Sequence, residues 1–136
     1  MQCVIYNRVS SMSQNSYTNS MSLHTQESIC SKFANENGLN VRSVYKEVHS
    51  AFHKVPNVLK TVINLSKCNI LISDISRFSR SVDVGLDMAK TALKNKNRIV
   101  FIQEQFSCST PDDLILLAQH LQGTESESRT IGIRIK

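Results

Sequence analysis

The apolar positions along the chain fall into short runs whose period changes several times. "QCVIYNRV" near the N-terminus is β-branched and aromatic, which predicts a strand. The polar stretch that follows it, "SSMSQNSYTNSMS", carries no apolar period and reads as a long loop. From about Ser22, Leu23, Ile29, Cys30 and Phe33 recur at helical spacing, and Asn37-Gly38 supplies a stop signal. "LNVRSVYKEV" sets Val41, Val44 and Val48 among polar residues and predicts a second strand. Beyond the polar loop "HSAFHKVP", Val58, Leu59, Val62 and Ile63 predict a helix. "CNILISDI" is a compact apolar run of the kind that forms a strand covered on both faces. Val82, Leu86, Ala89 and Leu93 then form a helical stripe, and "RIVFIQ" a fourth strand.

Strands and helices in alternation predict an α/β fold: a mostly parallel central sheet of four or five strands, flanked by helices and joined by right-handed crossovers. In such a sheet a ligand site belongs at the carboxyl ends of the strands. Near the C-terminus, Thr110 is a candidate cap, with Pro111 at the first helical position and Asp112 and Asp113 in the first turn. Leu114, Leu117, Ala118 and Leu121 supply that helix with a buried stripe. Gly123 and Gly132 weaken helix in the tail "GTESESRTIGIRIK", which reads as the start of a helix that continues further.

At 136 residues the chain fits one domain, and its 40% hydrophobic and 20% charged residues are ordinary for a globular protein. No apolar run approaches the roughly 18 residues of a membrane span, and the N-terminus lacks the pattern of a secretory signal, so an intracellular protein is expected. Cys3, Cys30, Cys68 and Cys108 are scattered singly, which argues against a zinc site or a disulfide framework. The histidines form no metal-ligand pattern; His49 and His53 lie close together, but surface or structural roles are expected for both. A formal charge of +5 makes an anionic partner plausible.

The strand-end rule singles out particular residues. The first strand closes at "YNRVSS" and the third at "DISRFSR", so Arg8, Ser10, Arg77 and Arg80 are expected to converge on one crevice. Guanidinium groups stay charged, match phosphate oxygens with a planar fork of donors, and stabilise charge building on phosphorus while a hydroxyl attacks. No glycine-rich GxxxxGK[ST] loop is present, which argues against nucleoside triphosphate use.

"YNRVSS", "SLHTQ", "EVHSAFHK" and "SRFSRS", in this order and at these separations, resemble the catalytic domain of the serine recombinases, the resolvase/invertase family. The resemblance covers almost the whole chain and implies a resolvase-like three-layer fold. It implies that Ser10 attacks a DNA phosphodiester to give a 5′-phosphoserine link and a free 3′-hydroxyl. It implies further that Arg8 contacts the scissile phosphate and favours serine deprotonation, and that Arg77 and Arg80 hold and activate that phosphate. Gln26 matches a glutamine that orders the site, and Tyr6 a supporting tyrosine. Ser50 resembles a second active-site serine, with Ala51 where the family has glycine, and Lys54 stands nearest to a DNA-contacting loop arginine. Glu127 resembles the glutamate that begins the family's long oligomerisation helix.

The chain departs from the family at Ser76, where aspartate often precedes the first arginine of the pair. Asp74, two residues earlier on an extended strand, is a candidate to orient the arginines instead. On this resemblance residues 1–122 form the catalytic domain and 123–136 the beginning of the oligomerisation helix. No helix-turn-helix or zinc motif follows residue 123, so a DNA-recognition domain is expected to lie outside this sequence. The implied partners are double-stranded DNA and further copies of the chain, a dimer on each site and a tetramer in synapsis, with neither ATP nor a metal as cofactor. Two rivals share the pattern: a non-catalytic DNA-binding or assembly module that keeps the fold, and a flavodoxin-like domain for another phosphorylated ligand.

Overall fold

A computed structural model describes residues 1–10, 21–49 and 55–135, with side chains in the last helix described as far as Glu125. The elements are β1 (Gln2–Val9), α1 (Leu23–Glu36), β2 (Asn40–Val48), α2 (Asn57–Ile63), β3 (Asn69–Ile72), α3 (Ile75–Phe78), α4 (Val82–Lys94), β4 (Arg98–Phe101), β5 (Phe106–Cys108) and α5 (Asp113–Ile135). The sheet order is β2-β1-β3-β4-β5. The first four strands are parallel and β5 runs antiparallel to β4. The α/β fold with a mostly parallel five-stranded sheet is therefore as expected.

Alternation along the strands divides the core in two. Val4, Tyr6, Ile70, Ile72, Ile99 and Phe101 meet Leu59 and Val62 of α2, Phe78 of α3, Met88 of α4 and Leu117 and Leu121 of α5. Cys3, Ile5, Leu71 and Val100 point the other way, against Cys30 and Ala34 of α1. Within the larger cluster the Phe78 and Phe101 rings meet edge to face, 5.4 Å between centroids at 71°. Such a pair contributes about 0.5–1.5 kcal/mol beyond the area it buries. All four cysteines are buried free thiols, and burial pushes Cys30 up to about 12 and Cys108 up to about 11, so both are poor nucleophiles.

Several helix ends follow their sequence signals. Ser22 caps α1 by accepting from Thr25 N, and Gly38 turns the chain at φ 66. At α5 the carboxylate of Asp113 reaches back to accept from Ser109 N at 2.9 Å and Thr110 N at 3.0 Å, and the Thr110 hydroxyl donates to it. The helix begins only at Asp113, so Thr110 is not its cap nor Pro111 its first residue; Asp113 closes this helix start, while Thr110 provides a carbonyl and a hydroxyl. The helix continues through Gly123 to Ile135 without a break.

Three features differ from the sequence reading. Val41, Val44 and Val48 are exposed, whereas Glu47 between them is buried. β2 is an edge strand whose register against β1 shifts between Cys3 and Val4, and its buried positions are chosen by α2 rather than by hydrophobicity. The stripe of α4 is rotated: Gly85, Met88, Ala89 and Ala92 are buried, and Val82, Leu86 and Leu93 only partly so. The segment "ISRFSRS" is not strand: β3 ends at Ile72 and the single turn α3 begins at Ile75.

Candidate functional site

The carboxyl ends of β1, β2 and β3 bring together most of the described residues singled out from the sequence. β1 delivers Tyr6 and Arg8 in its last turns of pleat, and Ser10 follows it, exposed. The peptide of Arg8 is fixed from both sides by the fully buried side chain of Gln26 on α1. Gln26 Oε1 accepts from Arg8 N at 2.9 Å, and its Nε2 donates to Arg8 O at 2.8 Å and Met21 O at 3.0 Å. A side-chain amide thereby copies the hydrogen bonds that a neighbouring strand would make.

Arg8 is only 4% exposed. Its Nη1 donates to His49 O at 2.6 Å, Nη2 to Ser76 O at 2.7 Å and Nε to Arg77 O at 3.0 Å. One side chain thus ties the end of β1 to the end of β2 and to the carbonyls of α3. The resemblance gives Arg8 to the phosphate; in this structure three of its five N–H groups hold backbone.

Arg77 lies on α3 with Nη1 donating to Arg8 O at 3.3 Å. Its Nε sits 3.6 Å from Asp74 Oδ2, an ion pair too long for a hydrogen bond, and is left buried without an acceptor. Asp74 therefore does reach the arginine pair, but across one helical turn rather than along an extended strand. Its other oxygen accepts from Ser76 Oγ, so Ser76 supports the carboxylate that stands near Arg77. Arg80 follows on the short connection between α3 and α4.

The three guanidiniums are close enough to act on one another. Burial lowers the Arg8 pKa, and the charges of Arg77 and Arg80 lower it further against the opposing effects of Tyr6 and Glu47. Arg77 is lowered in the same way, first by burial, with Asp74 opposing and Arg80 adding. Arginines remain cationic under such shifts, so the result is positive charge gathered at one place.

Glu47 belongs to this site and was not picked out from the sequence, where a glutamate in an alternating strand reads as solvent-facing. Tyr6 Oη donates to Glu47 Oε1 at 2.6 Å, while Val58 N and Leu59 N at the start of α2 donate to the same carboxylate at 2.8 and 3.2 Å. Burial, then the bond to Glu47, pushes the Tyr6 hydroxyl well above its ordinary value, so it remains a neutral donor. Tyr6 is fully buried and acts as a support.

Ser50, Ala51, His53 and Lys54 lie outside the described residues, as does the side chain of Glu127, whose backbone belongs to α5. Among the described residues no cluster of three His, Cys, Asp or Glu side chains could hold a metal ion, and no helix is long and apolar enough to cross a membrane.

The family model for the N-terminal domain of resolvases matches residues 3–136. The chain belongs to the resolvase family. Its fold is shared with solved catalytic domains. The N-terminal catalytic domain of TP901-1 integrase superposes with a TM-score of 0.71 at 22% identity, covering 97% of this chain and 99% of that one. A resolvase family site-specific recombinase from Streptococcus pneumoniae gives 0.68 at 19% identity, over 98% and 93%. The C-terminal catalytic domain of ISC1926 TnpA, an IS607-like serine recombinase, gives 0.63 at 20%, over 85% and 75%. No curated protein matches the sequence significantly. As a resolvase-family domain the chain is a serine-type site-specific recombinase.

Proposed function

We propose that this recombinase domain cuts and rejoins DNA through Ser10. The observation that carries the reading is the gathering of Arg8, Arg77 and Arg80 at the carboxyl ends of the strands, beside the exposed Ser10. A phosphodiester supplies anionic oxygens that such a cluster can bind.

In the proposed reaction Ser10 Oγ attacks phosphorus, the bond from phosphorus to the 3′ oxygen breaks, and the electron pair leaves on that oxygen. The serine proton is lost and the 3′ oxygen takes one up, giving a 5′-phosphoserine and a 3′-hydroxyl. Rejoining reverses each change, so the phosphodiester's energy is kept in the covalent link and neither ATP nor a metal enters the balance. Arg77 and Arg80 hold the phosphate oxygens, and Arg8 turns its two remaining N–H groups toward them. Lys54 contacts the DNA backbone, and Ser50 completes the site. Gln26 and Tyr6 keep β1 in place.

Exchange of strands between two duplexes calls for four copies of Ser10, hence dimers on each site and a tetramer at synapsis. Ile115 and Leu116, 67% and 49% exposed on α5, support pairing of copies along that helix, which also carries Glu127.

The test is a nicked duplex carrying DNA from the flanks of the protein's own gene, incubated with the protein and resolved under denaturing conditions. A covalent 5′ adduct that disappears in Ser10→Ala is expected. An adduct that persists in Ser10→Ala refutes the assignment of the nucleophile; duplex binding without any adduct from the unmodified chain favours a non-catalytic assembly module.

A further inference from the structure

Arg77 and Arg80 lie between the starts of two helices, and each start is closed by a carboxylate from later in the chain. Ile75 N, at the first residue of α3, donates to Glu104 Oε1 at 3.2 Å from the turn between β4 and β5. Val82 N, at the first residue of α4, donates to Glu125 Oε2 at 2.9 Å from α5. The local residues leave these amides to others. Asp74 precedes α3 but makes no capping bond, its oxygens being engaged by Ser73, Ser76 and Arg77. Ser81 precedes α4 and accepts from Val84 N, two residues beyond Val82.

The placing of Glu125 follows from how α4 and α5 pack. A Cβ on Gly85 would lie 2.7 Å from Leu121 Cδ1 and 3.2 Å from Ser79 Cβ, so any larger residue would displace the end of the Leu121 side chain, and glycine lets the two helices approach this closely. Glu125 is one turn beyond Leu121, and Val82 is three residues before Gly85, so the same faces that make the tight contact also bring the carboxylate to the amide. Ser79 extends the arrangement into the arginine segment: it is fully buried, donates from Oγ to Ser81 O at 2.9 Å and accepts from Ser81 N at 3.0 Å. The backbone that carries Arg80 is thus pinned immediately before the residue that Glu125 holds.

We propose that Glu104 and Glu125 are positioning residues that bracket the arginine pair, fixing the helix ends on either side of Arg77 and Arg80 and through them the approach of both guanidiniums to phosphate. This rests on the reading that those arginines hold the DNA phosphate. The bracket makes the position of α5 a determinant of the site, because Glu125 is carried by that helix.

The test uses the whole chain, labelled with nitrogen-15. In Glu125→Ala the Val82 amide should exchange with solvent about ten-fold faster, as for one lost hydrogen bond. Glu125→Gln, which keeps an acceptor oxygen, should restore protection. At saturating DNA, adduct formation should fall about ten-fold in Glu125→Ala and in Glu104→Ala, recover in the glutamine variants, and fall no further when Glu125→Ala is added to Arg80→Ala. Equal losses in the two backgrounds, or an unchanged rate once the Val82 amide is exposed, overturn the bracket. If the unmodified chain forms no adduct, the phosphoserine reading fails instead, and duplex affinity becomes the measure. Glu125→Ala should then bind as weakly as Arg80→Ala with glutamine restoring it, and undiminished affinity overturns the proposal.

Discussion

At the amino ends of β1, β3 and β4, Lys67, Lys96 and Arg98 line a groove of about 320 Å³ with Met1, Gln2, Cys68 and Asn69. All three cations there are exposed. At the opposite ends of the same strands Arg8 is buried, Arg77 is half-buried, and both are depressed by burial and by neighbouring positive charge. Both ends of the sheet are basic, yet only one is built around its cations. At the amino end Lys96 follows the C-terminus of α4, where its charge suits the helix dipole. The structural fixing is done by neutral Asn97, which donates to Ile63 O and Leu65 O and accepts from Cys68 N. At the carboxyl end the charged groups themselves hold the backbone. Charge on a surface costs the fold little, whereas charge held under cover needs carbonyls, amides and a carboxylate arranged for it.

The largest expected difference between the ends comes from removing one cation at each. Arg8→Ala leaves three part-buried carbonyls without donors and should cost about 3–5 kcal/mol, on a scale of about 1–3 kcal/mol for each group left unsatisfied, with loss of adduct formation. Lys96→Ala should stay within about 0.5 kcal/mol, as exposed substitutions usually do. Urea titration of the two variants measures both, and equal costs would erase the distinction drawn between the ends.

A smaller contrast separates stability from chemistry. Glu47→Ala strands the Tyr6 hydroxyl and two amides of α2, and Asn97→Ala strands the carbonyls and amide that it joins. Each should cost about 2–3 kcal/mol on the scale of buried unsatisfied groups. Per folded molecule, only the Glu47 variant should slow DNA cleavage. Rates measured well below the melting temperature distinguish them, and a comparable slowing in Asn97→Ala would show that the amino end also shapes the site.

The smallest effect concerns the turns. Lys67 and Lys96 adopt φ of 53° and 64°, in the left-handed region where a Cβ is crowded. Lys96→Gly should raise stability by at most about 1 kcal/mol, with cleavage unchanged. A clear loss on removing this lysine would mean that its charge does more than offset a helix end.

Much of this was legible in the chain because periods survive in sequence. Four strands and the longer helices follow from apolar spacing, and the order of "YNRVSS", "SLHTQ" and "SRFSRS" carried the family. What escaped notice depends on partners distant in the chain. β5 spans only Phe106–Cys108 and lies in a mostly polar segment, too short to show a period. α3 is a single turn whose Ile75 and Phe78 continue the apolar character of the strand before it. Glu47, Glu104 and Glu125 all receive amides at helix starts, at separations of 11 or 12, 29 and 43 residues, and no local pattern distinguishes such glutamates from solvated ones.

The clamp that Gln26 places on the Arg8 peptide also sets the freedom of Ser10. Arg8 is held at both N and O, and the next residue is held as well, since His49 N donates to Val9 O at 2.8 Å. Only one step of chain separates that last fixed point from Ser10, and consecutive Cα atoms stand about 3.8 Å apart. The serine is therefore on a leash one residue long: it cannot travel far from that point, and any phosphate it meets must be carried to it.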